Sequence, residues 1–174
     1  LGEVRGGWVV EADISSFFDT LDHMILRSFL DQRVRDGVIR KMVDKWLKAG
    51  VFEDGQYKRT EDGTPQGGVI SPLLANIVLD HLDWQLHEAG YHFARYADDF
   101  VVVCETHQQA QEALTLVKHV LEEGLGLQLS PEKTKVMTFG KGYEFLGFLL
   151  SSRSRRMRAK SVQKFKARIR ELTQ

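Results

Sequence analysis

Two short strand-like segments, Tyr91 to Arg95 and Phe100 to Glu105, are separated by Tyr96-Ala-Asp-Asp99, and a further aspartate, Asp13, ends an apolar run far upstream. A connection this short joins antiparallel strands, since a parallel pair needs a crossover of a dozen residues or more. Adjacent carboxylates at a tight turn repel each other unless positive charge lies beside them. A divalent cation removes that cost, and metals bridged by aspartates are a known means of catalysing phosphoryl transfer without a covalent intermediate. An Asp-Asp pair by itself is most often only a turn. The aromatic Tyr96, the strands on both sides and a third strand-end aspartate favour the metal reading.

The 174 residues amount to about one domain with a real core. Apolar content of 43% and charged content of 28% are ordinary for a globular protein. No apolar run approaches the roughly 20 residues that span a bilayer, and no signal-peptide pattern opens the chain. No membrane association is therefore expected, and a chain with one cysteine fits a reducing cytoplasm. The single cysteine, Cys104, ends the run Phe100-Val-Val-Val and reads as a small core residue; one cysteine permits no internal disulfide. The six histidines have no zinc-ligand spacing.

A formal net charge of zero hides an asymmetry. Residues 153–174 hold nine Lys or Arg against the single acid Glu171, so residues 1–152 carry −8 and the tail +8. Such a basic block fits contact with a nucleic-acid backbone, and equally a solvated surface helix.

Trp8 to Asp13 reads as a buried strand. Leu21 to Leu30 reads as a helix, and Val34, Val38, Met42 and Trp46 give a second helical stripe closed by Gly50. Residues 51–63 read as a hairpin or loop. Ser71-Pro72 opens a helix with a capping side chain and a proline at the first helical position, and that helix runs to about Glu88. Thr106 to Gln109 is a capping box for a helix through Leu121 that ends at Gly124. Thr134 to Phe139 and Tyr143 to Leu150 read as strands, and Ser161 to Leu172 as a helix with Val162, Phe165, Ile169 and Leu172 on one face. The expected class is α+β, with one antiparallel sheet backed by helices.

A second constellation is Gly63-Thr-Pro-Gln-Gly-Gly-Val-Ile-Ser-Pro72. Its paired glycines permit close backbone approach to a ligand, and Gln66 offers both donors and an acceptor; a plain Gly/Pro loop before a helix is the commoner meaning. Taken in order, Asp13-Ile-Ser-Ser-Phe-Phe-Asp19, Gly63 to Asn76, Tyr96-Ala-Asp-Asp99, Leu129-Ser-Pro-Glu-Lys-Thr134 and Phe145-Leu-Gly147 resemble successive reverse-transcriptase motifs. Their wording is most similar to the enzymes encoded by group II introns of bacteria and organelles.

The resemblance implies a polymerase palm with part of the fingers over residues 1–160, and over 161–174 a basic helix leading towards a thumb. It implies that Asp13 and Asp98 hold two Mg²⁺ ions, with Asp99 in support and the main-chain carbonyl of Ile14 as a further ligand. Ile14, Ser15, Phe18, Pro65, Gln66 and Gly67 would line the incoming nucleotide, with the Phe18 ring excluding a ribose 2′-OH. Phe17, its neighbour, reads as a core aromatic. Lys133 would protonate the leaving pyrophosphate, with Lys135 close by, and Phe145, Leu146 and Gly147 would form a hairpin that grips the primer terminus.

The implied activity is RNA-directed DNA synthesis from dNTPs on an RNA template with a DNA or RNA primer, in the service of an intron RNA. The alternatives are a non-catalytic maturase that binds intron RNA, and a related defence or diversity-generating reverse transcriptase. The family's fingers region before Asp13 and its thumb are not recognisable here. The chain by itself is therefore expected to polymerise weakly and to self-associate through surfaces left open.

Overall fold

A computed structural model describes residues 7–48, 51–53, 56–58, 63–64, 68–151 and 154–173. Its centre is a four-stranded antiparallel sheet in the order β4-β5-β1-β6. These strands are β1 (Trp8–Ala12), β4 (His92–Tyr96), β5 (Asp99–Cys104) and β6 (Lys135–Thr138). Side chains alternate across a sheet, and here both faces of the two central strands are covered, so β5 is apolar at every position from Phe100 to Cys104. Val10, Ala12, Phe100, Val102 and Cys104 join the main core, while Val9 and Val101 face the other way onto Phe139 and Tyr143.

The main core is closed by helices. α2 (His23–Arg33) is capped by Asp22, whose carboxylate accepts from the Met24 and Ile25 amides. α4 (Ser71–Glu88) buries Leu74, Val78, Leu79, Leu82 and Leu86. α5 (His107–Lys118) opens on the expected Thr106–Gln109 capping box and continues as a π-helical turn from His119 to Gly124. The expected α+β class, an antiparallel sheet backed by helices, is what the structure has.

Several expected elements differ in detail. The residues 143–157 form a separate three-stranded sheet, β7 (Tyr143–Phe145), β8 (Phe148–Leu150) and β9 (Arg155–Met157), so the strands do not belong to one sheet. The segment 51–63, by contrast, contains a hairpin as expected, β2 (Val51–Glu53) and β3 (Gln56–Lys58). A short turn of helix, α1 (Phe17–Thr20), precedes α2. Ser71 is not the cap of α4: Ile70 occupies that position, and the Ser71 amide reaches back to the Gly68 carbonyl.

α3 (Gly37–Leu47) corrects the expected stripe. Val34 falls outside this helix as the cap of α2, and Val38, Met42 and Trp46 face solvent. Val43 and Leu47, one turn apart, are the pair that α3 buries. α6 (Ala159–Thr173) buries no residue, and its apolar Phe165, Ile169 and Leu172 are exposed.

Candidate active site

Asp13 directly follows β1 and is tied to residues 128–130 through the backbone. The Ser130 amide donates to the Asp13 carbonyl and the Ser15 amide to the Gln128 carbonyl. These bonds flank the Ile14–Leu129 bridge and leave the Ile14 carbonyl out of it. Asp98 and Asp99 sit at the β4–β5 hairpin, whose closing pair is Tyr96 and Asp99, so that Ala97 and Asp98 form a two-residue turn. Ala97 has φ 54°, the left-handed region that glycine usually fills at the first position of such a turn.

The β1–β5 register ends with Ala12 opposite Phe100. One further step sets Asp13 beside Asp99, on the same face as Glu11. Two adjoining clefts meet there. One, of about 360 Å³, is lined by Asp13, Ile14, Ser15, Phe18, Asp98 and Lys133 among others. The other is lined by Glu11, Asp13, Asp99, Lys133, Lys135 and Phe145 among others. Asp13 and Lys133 thus stand on the ridge between them.

The charges respond to this crowding. Partial desolvation, followed by repulsion from Asp98 and Asp13, raises the Asp99 carboxyl above the ordinary carboxylate range, and Lys133 opposes the shift. Glu11 is raised as well, first by burial, with Lys135 opposing and Asp99, Glu144 and Asp13 adding to it. The Lys133 ammonium donates to Asp13 Oδ2 at 2.9 Å, and that bond raises its own pKa. Lys133 is therefore the lysine at Asp13, while Lys135 pairs across the strands with Glu11.

The donor set is all oxygen, which suits a hard cation such as Mg²⁺. Among the described residues, no three His, Cys, Asp or Glu side chains are arranged to hold an ion on their own. Magnesium usually needs only one or two carboxylates, with waters and phosphates completing its shell. Asp13 and Asp98, together with the Ile14 carbonyl, could supply that much.

Phe17 is buried in the core at 2% exposure, whereas Phe18 is half-buried and lines the cleft. Their rings meet edge-on at 5.3 Å. The start of the Gly63 loop is fastened to this aromatic segment: the Gly63 amide donates to Leu21 O, the Thr64 amide to Phe18 O, and His23 Nε2 lies 2.5 Å from Gly63 O. Pro65, Gln66 and Gly67 lie outside the described residues.

Phe145 pairs with Phe148 across a turn in which Leu146 and Gly147 both have positive φ, 49° and 82°, so the expected hairpin is present. Its tip is fixed to the start of α6, because the Gly147 carbonyl accepts from the Arg158 amide and the Ser161 hydroxyl. Phe145 faces the carboxylate cleft.

Glu11, Glu144, His23 and Arg95 were not singled out from sequence. For Glu11 a signal existed: it lies two residues before Asp13 in a strand, hence on the same face. For the other three no local pattern carries the information, because their partners are remote in sequence.

Residues 4–150 match the family model described as reverse transcriptase (RNA-dependent DNA polymerase). The protein YkfC of Escherichia coli K12 is 35% identical over 189 residues, covering 88% of this chain and 50% of YkfC. The group II intron-encoded protein LtrA of Lactococcus lactis subsp. cremoris is 35% identical over 130 residues, covering 75% of this chain and 21% of LtrA. The chain thus spans half the length of the first relative and about a fifth of the second. Among solved structures, telomerase from Candida albicans superposes with a TM-score of 0.71 at 14% identity, over 87% of this chain and 30% of that one. The foamy viral protease-reverse transcriptase gives 0.62 at 21%, over 94% of this chain and 19% of that one. Those two likenesses speak to the fold alone. The chain belongs to the reverse transcriptase family, homologous to its group II intron-encoded members.

Proposed function

We propose that this chain carries the palm of an RNA-directed DNA polymerase, in which a primer 3′-oxygen bonds to the α-phosphorus of a dNTP and pyrophosphate leaves. The observation that supports this best is the meeting of Asp13, Asp98 and Asp99 around two adjoining clefts at the ends of paired strands. Two Mg²⁺ ions, when bound, would supply charge neutralisation at the attacking and leaving oxygens. Asp13 and Asp98 would hold them with the Ile14 carbonyl, and Asp99 would stand in support.

The remaining roles rest on the likeness of the motifs to those of reverse transcriptases, and for Ser15, Phe18, Lys133 and Phe145 also on their place in the cleft lining. Ser15 and Phe18 would border the sugar and triphosphate, with Pro65, Gln66 and Gly67 along the nucleotide and template base. Phe145, Leu146 and Gly147 would hold the primer end. Lys133, beside Asp13, has a proton to give to the departing pyrophosphate. Positioning and preorganised charge do most of the work in this chemistry.

The RNA template, the DNA or RNA primer and a group II intron RNA are proposed as partners on the likeness to LtrA and to the putative COX1/OXI3 intron 1 and intron 2 proteins of Saccharomyces cerevisiae. That likeness also favours a bacterial cytoplasm or an organelle as the setting. No helix among the described residues is long and apolar enough to cross a membrane. We assign residues 1–160 to the palm with partial fingers, and 161–174 to a basic helix leading to a thumb.

Primer extension tests the reading, with the 174 residues assayed alone and within any longer natural chain that contains them. Asp13→Asn and Asp98→Asn should each lower synthesis by several orders of magnitude and weaken Mn²⁺ binding while the fold survives. Near-normal extension by either variant would sink the assignment. Loss of extension with RNA binding intact would also separate catalysis from a purely RNA-binding maturase role.

A further inference from the structure

The turn that presents Asp98 and Asp99 has an unfavourable backbone. Ala97 holds φ 54°, a backbone conformation that is unfavourable for a residue with a Cβ. Something must hold it there. Arg95, two residues earlier on β4, has its side chain 10% exposed and uses its guanidinium in four bonds. Nη1 donates to the Ala97 carbonyl at 3.0 Å and to Asn76 Oδ1 at 2.7 Å. Nε and Nη2 donate to the two oxygens of Asp83 at 2.8 and 2.5 Å.

Asn76 and Asp83 are two turns apart on α4 and so share a face. α4 is the helix most deeply packed into the main core. A planar guanidinium gripped on both carboxylate oxygens has a fixed orientation. The path therefore runs from a rigid helix through one planar group to the carbonyl of the strained residue. Arg95 lines neither of the two clefts at the carboxylates.

We propose that Arg95 is a positioning residue, which locks the Ala97-Asp98 turn against α4 and so sets where the Asp98 and Asp99 carboxylates point. Its effect on synthesis rests on the polymerase reading; its effect on the turn does not. A lysine in its place keeps the charge but cannot hold Asp83, Asn76 and the Ala97 carbonyl together in one plane.

The test compares wild type, Arg95→Lys, Asn76→Ala and the double variant Arg95→Lys/Ala97→Gly. Three quantities are measured: thermal midpoint, hydrogen exchange at the Tyr96 and Asp99 amides, and Mn²⁺ affinity by electron paramagnetic resonance. In Arg95→Lys, exchange at those two amides should rise at least tenfold and Mn²⁺ affinity fall about tenfold, with other β4 and β5 amides little changed. Asn76→Ala leaves the Arg95–Asp83 pair in place and should move both readouts the same way by less, which decides the matter should Arg95→Lys fail to fold. Ala97→Gly, which accepts φ 54° without strain, should restore part of what Arg95→Lys loses.

A merely structural cross-link predicts instead a uniform rise in exchange across β4 and α4 and no rescue by glycine, and that result overturns the proposal. So does unchanged exchange at Tyr96 and Asp99 in both single variants. If the wild type fails to bind Mn²⁺, the polymerase reading falls, and exchange alone still decides the role of Arg95.

Discussion

At the scale of single residues, neighbours with the same chemistry have different environments. Phe17 is enclosed by the core and Phe18 lines the cleft. Phe17→Ala should cost roughly 3–5 kcal/mol in a denaturation experiment. Phe18→Ala should cost less stability and admit ribonucleotides; unchanged rNTP use would remove it as the sugar gate. Cys104 offers a pH test. It is 3% exposed, and burial pushes its thiol up to about 11 from an ordinary value of 9.0. The unfolded thiol ionises first, so Cys104 supports the fold fully below pH 9 and loses that contribution as pH rises towards 11. Stability should fall across that window, at a slope of at most about 1.4 kcal/mol per pH unit from this group, and a Cys104→Ala variant should show a shallower fall. Iodoacetamide should leave Cys104 unmodified at pH 8 until the chain is unfolded. Asp13, Asp98, Asp99 and Cys104 were legible in the sequence because each sits at the end of, or just beyond, an apolar strand. Arg95 was not, since a lone arginine in a strand gives no hint of Asp83 and Asn76 beneath it.

At the scale of elements, most sequence signals that act locally held, the capping role of Ser71 on α4 being the exception. The Thr106–Gln109 box caps α5, and Gly90, at φ 78°, ends α4. Signals that need a partner did not. α3 carries two apolar rows, Val38-Met42-Trp46 and Val43-Leu47, and periodicity identifies a helix without saying which row the core takes. β9, Arg155–Met157, has no strand signature and exists because Leu149 and Leu150 of β8 supply its register. The joint between α1 and the Gly63 loop gives a sharp prediction. Gly63 has φ 78°, and an added Cβ would lie 2.6 Å from the Phe18 and Asp19 carbonyl oxygens. Gly63→Ala should therefore cost about 2–5 kcal/mol, the sum of left-handed strain and overpacking. A loss below about 1 kcal/mol in urea unfolding would mean that the loop is not pressed against α1.

At the scale of the whole molecule, charge is segregated along the chain. Glu11, Asp13, Asp98 and Asp99 meet at the carboxylate clefts, while Arg155 and Arg156 are exposed on β9, Arg158 follows it half-buried, and Lys160, Lys164, Lys166, Arg168 and Arg170 are exposed on α6. The Phe145–Phe148 turn ties the two regions, through Gly147 to Arg158 and Ser161. A template laid along the basic segment would be led towards the carboxylates. Neutralising Arg155, Arg156 and Arg158 should weaken RNA binding about equally for all sequences. The salt slope should also shrink by roughly 0.7–0.9 for each phosphate that the chain ceases to neutralise. Weakening confined to particular sequences, with the slope unchanged, would contradict a backbone role.

The bond between Lys133 and Asp13 gives the clefts a property that neither residue has separately. On the polymerase reading it would make the site an ion exchanger loaded with its own tethered counter-ion. A divalent ion arriving at Asp13 would swap places with an ammonium that stays attached by its stem, so Asp13 itself would never stand without a counter-charge. The displaced Lys133 then remains within a side chain's length, charged and proton-bearing, beside the place where a leaving group would collect its negative charge.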